Sequence, residues 1–128
     1  MALILIGLPC TEASAQTQLD MNQDAAASFK AADKKLNAVY QNILKEYADD
    51  PVFIASFKKA QRCWITFRDA QLKMKYPDRE PGYYGSIQPM LETIYLTELT
   101  KDRIKALEPW IDGVQEGDLS GGTVRVKQ

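Results

Sequence analysis

The sequence predicts an all-α domain, a small bundle of three main helices. Residues Leu19 to Ala48 contain neither proline nor glycine and are rich in Ala, Lys, Gln and Leu, all good helix formers. Two later stretches repeat their large apolar residues at steps of three and four, and two prolines and two glycines fall together in the segment between them, Tyr76 to Gly85. At 128 residues and 45% apolar content, the chain can bury one core but not two.

The chain divides into three parts on this reading: a signal peptide at 1–15, a helical domain at 16–111 and a flexible tail at 112–128. Residues 2–9 form an apolar run well short of the roughly 20 residues that cross a bilayer. Ala13-Ser14-Ala15 follows as a small-x-small pattern, so cleavage is expected after Ala15. No Lys or Arg precedes the apolar run, as expected of a start inside a longer leader; the alternative is a buried N-terminal strand. An acylated Cys10 is disfavoured by Leu8-Pro9, which are not the small residues that such cleavage prefers. After cleavage Cys63 stands alone, so stability must come from packing rather than a disulfide. The expected location is periplasmic or secreted.

Charge and composition narrow the function. Sixteen basic residues face seventeen acidic ones, and loss of Glu12 with the leader makes the mature chain neutral. A nucleic-acid partner normally asks for a basic excess, so none is expected. The chain has no histidine, which removes Ser/His and Cys/His catalysis and the commonest metal ligand. No catalytic constellation, cofactor site or metal site is read, and the protein is expected not to be an enzyme.

In the first helix Phe29, Ala32, Leu36, Tyr40, Ile43 and Tyr47 share a face, with Asp20 or Asn22 as cap. Asp33 and Asn37 fall on the flank of that face, as members of a buried polar network or of a solvated edge. Asp50 caps the second helix with Pro51 at its first position. That helix, Pro51 to about Tyr76, carries Phe53, Phe57, Ala60, Trp64 and Phe67 as its stripe; Phe57, Trp64 and Phe67 are the expected core. Arg68 lies inside the buried arc and is expected to pair with Asp33, structurally rather than as a ligand contact. Cys63 at the stripe's edge has no histidine to activate it.

Tyr83 and Tyr84, in the loop, form either a lid over the core or an exposed recognition patch. Ser86 is the expected cap of the third helix, with Pro89 in its first turn. Its apolar residues change face between Ile94 and Leu99. The helix therefore either breaks near Thr97 to Thr100 or runs on and buries different faces at its two ends. The glycine-bearing stretch beyond Ile111 has little to bury, and a strand at Val124 to Val126 would have nothing to pair with.

With these pieces in place, the chain resembles the secreted DUF1311 family, also described as the lysozyme inhibitor LprI-like N-terminal domain. The resemblance rests on TQLDMNQDAA at Thr17 to Ala26 with AADKKLNAVY at Ala31 to Tyr40, on AQRCWITFRDAQ at Ala60 to Gln71, and on GSIQPM with LTELTKDRIKAL. It implies a secreted or periplasmic helical binding module, with lysozyme or another envelope protein as partner and Asp33, Asn37, Trp64, Arg68, Asp69 and Ser86 among the motif positions. Family members often carry cysteines where this chain has Asp24, Leu72 and Tyr95, so the resemblance implies packing in place of disulfide staples. The expected function is a binding module that inhibits lysozyme by protein-protein contact. The alternatives are a structural envelope protein or a glycan hydrolase using two carboxylates such as Asp49, Asp50, Glu80 or Glu92.

Overall fold

The computed structural model describes residues 10–128, with side chains from Gln16 onward. The expected leader thus lies outside the described residues, apart from helical backbone that begins at Cys10. Helix α1 (Cys10–Glu46), helix α2 (Pro51–Lys75) and helix α3 (Gln88–Asp112) follow one another, and the fold is all-α as the sequence predicts. Among the described residues, no helix is long and apolar enough to cross a membrane.

With 37 residues and no internal breaker, α1 is about 55 Å long. Asp20 and Asn22 lie inside it instead of capping it, and accept side-chain hydrogen bonds from Gln16 and Gln18, each one turn earlier. The α1–α2 junction is as expected: Asp50 Oδ1 accepts the Phe53 N–H at 3.1 Å, and Pro51 occupies the first turn. Ser86 does not cap α3. Ile87 holds that position with no side-chain hydrogen bond, so the start of α3 relies on Pro89 and on packing.

Helices α1 and α3 run parallel, since Gln18 Nε2 reaches Met90 Sδ at 3.9 Å near their starts and the Tyr47 hydroxyl donates to the Trp110 carbonyl at 3.3 Å near their ends. They pack closely because Ala25, Ala32, Thr97 and Thr100, all small, are buried along the seam. Antiparallel to both, α2 is held further off by large side chains: Phe57 stacks on Tyr40 with centroids 5.0 Å apart, and Phe53 meets Tyr47 at 4.8 Å. The core of Leu36, Ile43, Tyr47, Phe53, Phe57, Ile104 and Leu107 is gathered toward the α1–α2 turn.

Helix α3 is unbroken. Its buried line, Thr97, Thr100, Ile104 and Leu107, passes straight through the two threonines that marked a possible break. Their hydroxyls donate to the carbonyls of Thr93 and Leu96 one turn back, which leaves their methyl groups for the seam. Ile94, on the apolar face expected before the change to Leu99, is exposed.

Residues 113–128 do not form the free tail that the sequence suggests. Gly113 ends α3 at φ +79°, and a Cβ there would lie 2.9 Å from the Arg125 carbonyl oxygen, so glycine is required by both conformation and space. Val114 N–H donates to the Arg125 carbonyl at 2.9 Å, and an isolated parallel bridge joins Val114 to Val126. Arg125 then anchors the segment on the bundle. Its guanidinium lies 4.3 Å from the Tyr47 ring centroid, donates to the Glu46 carbonyl at 3.0 Å and pairs with Asp49. A cation at the C-terminal end of α1 satisfies a carbonyl with no partner inside the helix.

The Arg125 hydrogen bond holds the Asp49 carboxyl below its ordinary range. A folded-state value below the unfolded one means that this anchor is present above the ordinary carboxylate pKa and is lost as the pH falls through the lower, folded value. The segment 113–128 is therefore expected to become sensitive to protease in acid, below about pH 4, and Arg125→Ala should show the same sensitivity at neutral pH. Equal cleavage of wild type and variant at neutral pH would show that the bridge and the Trp110 Nε1 to Thr123 hydrogen bond suffice.

Candidate functional site

Two surfaces carry the residues singled out in the sequence: a groove between α1 and α2, and the loop between α2 and α3.

Because α2 stands off from α1, the two helices enclose an open groove of about 560 Å³. Leu36, Tyr40, Trp64 and Ile65 supply its apolar surface, and Asp33, Asn37 and Arg68 all lie along it. The three expected network members thus share one groove, but they do not form the expected network. Asp33 and Asn37 are exposed, and among the described residues neither makes a hydrogen bond to Arg68. Arg68, its side chain 16% exposed, instead meets Asp69 at 3.3 Å and lies over the Trp64 ring at 5.3 Å. The neighbouring residue and the stacked indole on its own helix capture the guanidinium before it can span the groove.

The inward face of α2 is also rotated from the one expected. Phe57 is buried and Trp64 half-buried, as core, but Phe67 is 57% exposed. The buried positions Phe53, Phe57 and Gln61 advance in steps of four, which turns the seam by about 40° per step and carries it away from Ala60 and Phe67. Gln61, not Ala60, faces inward and accepts a 3.0 Å hydrogen bond from Arg103 Nε. Burial lowers the Arg103 pKa from its ordinary value. Arg103 also lies over the Trp64 ring at 5.9 Å, so a second guanidinium meets the indole from α3. Nothing in the local pattern of α2 marks Gln61, nor that of α3 Arg103; only their hydrogen bond across the bundle does.

In the loop, the two tyrosines divide the roles between which the sequence left a choice. Tyr84 packs inward, its hydroxyl donating to the Pro77 carbonyl at 2.6 Å and its ring edge-on to Tyr76 at 5.7 Å. Tyr83 is 65% exposed, braced by the Tyr84 ring at 4.9 Å and by the Arg79 guanidinium at 5.5 Å. Lys73 Nζ holds the loop's first turn through Asp78 at 2.6 Å, and Gly82 and Gly85 take left-handed φ values. The loop therefore presents one aromatic side chain on a fixed support.

Where the resemblance implied packing instead of disulfides, Leu72 and Tyr95 are half-buried, and Gln71 Nε2 donates to the Tyr95 hydroxyl at 3.2 Å between α2 and α3. Lys75 Nζ lies 4.0 Å from the same ring. Asp24 is exposed, and Cys63 is a free, exposed thiol.

The family model described as lysozyme inhibitor LprI matches residues 10–107. The chain belongs to the LprI family. An uncharacterised protein of Rhizobium meliloti (strain 1021) is 32% identical to this LprI-family chain over 112 residues, which cover 79% of this chain and 78% of that protein. No solved structure matches it. The span matched by the family model takes in the groove, the tyrosine loop and most of α3, and stops before the Arg125 anchor.

Proposed function

We propose that this chain is a periplasmic or secreted binding module that inhibits lysozyme by protein-protein contact and uses no cofactor. Membership of the LprI family across residues 10–107 carries the reading. The braced, exposed Tyr83 supports the loop as contact surface, because a tyrosine held in one orientation buries a large area with little further loss of side-chain freedom. Inhibition at this loop needs no reacting group. Two of the four acids of the hydrolase alternative serve elsewhere: Asp49 pairs with Arg125 and Asp50 caps α2.

Mature protein added in molar excess is expected to slow cell-wall lysis by at least one of c-type, g-type or i-type lysozyme. Tyr83→Ala should weaken that effect by about tenfold or more, the usual loss at an aromatic anchor, with an unchanged melting temperature. Full lysis rates with all three lysozymes in the presence of wild type would refute inhibition and favour a purely structural envelope role. Equal inhibition by wild type and Tyr83→Ala would move the contact off the loop.

A further inference from the structure

The neutral total charge conceals a segregation. Helix α2 carries Lys58, Lys59, Arg62, Arg68, Lys73 and Lys75 against the single carboxylate of Asp69. Three of these cations, Lys58, Arg62 and Arg68, line the groove, and Lys30 and Lys34 join them from α1; Asp33 is the one acid on its walls. Lys30 with Lys34, and Lys58 with Arg62, are each one turn apart on the same helix, a like-charge spacing that destabilises a helix. Among the described residues none of these four makes an ion pair. Four unpaired cations from two helices thus converge on a groove that also offers apolar surface and the exposed amide of Asn37.

We propose that the α1–α2 groove binds a carboxylate-bearing glycan strand of the cell wall. Lys30, Lys34, Lys58 and Arg62 pair with its carboxylates, Tyr40 and Ile65 pack against the C–H faces of its sugars, and Asn37 bonds its hydroxyl or acetamido groups. A concave channel with cations along its walls fits a linear ligand whose charges are spaced along its length. Nucleic acid fits less well, because single strands are held by bases stacking on open aromatic faces, and the groove's indole already has the Arg68 and Arg103 guanidiniums over its ring. A peptide that binds by adding a strand needs a free sheet edge, and among the described residues there is none; an acidic peptide lying in the groove is the outcome that poly-glutamate reads below. A membrane surface calls for a projecting apolar helix face, whereas these cations border a recess. The proposal rests on the reading that this module works at the cell wall, but it does not require contact with lysozyme.

Binding of soluble, uncrosslinked peptidoglycan fragments to the full mature protein is the test, followed by calorimetry or fluorescence. Neutral chito-oligosaccharide, poly-glutamate and single-stranded DNA serve as comparison ligands. The fragments are expected to bind, to weaken as salt is raised, and to lose about tenfold or more in affinity in Lys34→Glu/Arg62→Glu, since each reversal replaces an attraction with a repulsion. Both positions are exposed, so the variant should keep its melting temperature; Lys34→Gln/Arg62→Gln, with an intermediate loss, serves if it does not. No fragment binding, or equal binding by wild type and variant, would overturn the proposal. Tighter binding of poly-glutamate or DNA than of the fragments would overturn the glycan assignment. Hydrolysis of a neutral soluble oligosaccharide by lysozyme reads direct inhibition alone, so the groove and the Tyr83 contact can fail separately.

Discussion

Phe57→Ala is expected to lower stability by about 3–5 kcal/mol, the usual cost of truncating a fully packed phenylalanine. Phe57 is 5% exposed and joins two stacks, with Tyr40 at 5.0 Å and Phe53 at 5.5 Å, and through Phe53 it connects to Tyr47 and Trp110. Because α2 is held by a few large side chains and not by close backbone packing, removal of one ring takes away much of what attaches it. A domain of this size has about 5–15 kcal/mol in all, so the variant should be close to unfolding. Phe67→Ala, ten residues on but 57% exposed, should change stability by no more than about 0.5 kcal/mol. Urea denaturation of both variants is the measurement. Similar losses from the two would mean that Phe67, not Gln61, faces the bundle.

Thr100 is expected to give the second large effect, through size rather than through its hydroxyl. It is 0% exposed, on the line where α3 approaches α1, and its Oγ1 donates to the Leu96 carbonyl at 2.7 Å within its own helix. Thr100→Leu adds bulk to a closed seam and should cost about 1–3 kcal/mol through displaced neighbours. Thr100→Val keeps the shape. The Leu96 carbonyl still has its backbone partner in the helix, so the loss should stay below about 1 kcal/mol. Thermal or urea unfolding of the pair separates the two causes: a costly Val with a harmless Leu would make the hydroxyl, not close packing, the reason for threonine here.

The three helices and the Asp50-Pro51 junction were legible because each depends on residues near in sequence. Capping, breaking and apolar periodicity all act within a few positions. The family was legible too, in the patches around Asp33, Trp64 and Arg68, and the match over residues 10–107 bears it out. Faces were less so. A stripe drawn through Phe53, Phe57, Ala60, Trp64 and Phe67 satisfies helical spacing, yet the bundle selected Gln61 over Ala60 and left Phe67 outside. Hydrophobicity alone could not rank these positions, because Gln61 is buried for the hydrogen bond it makes with Arg103, 42 residues away. The same blindness hid Arg125, which looked like a charge in a glycine-bearing tail and is in fact fixed by Tyr47, Glu46 and Asp49.

By itself the sequence determined that this is an all-α chain of three main helices, that Phe57 belongs to its core, and that it resembles the LprI family. It also set the total charge, which misled as a guide to surface character because a sum carries no positions. Only the tertiary structure decided that Lys30, Lys34, Lys58 and Arg62 share one groove, that Arg68 lies on Trp64 without reaching Asp33, and that Tyr83 is presented while Tyr84 is tucked in. The physical reason is range. Backbone hydrogen bonding and side-chain spacing are fixed within a turn or two of helix, whereas the rotation of one helix against another is a compromise among side chains that meet only after the chain has folded.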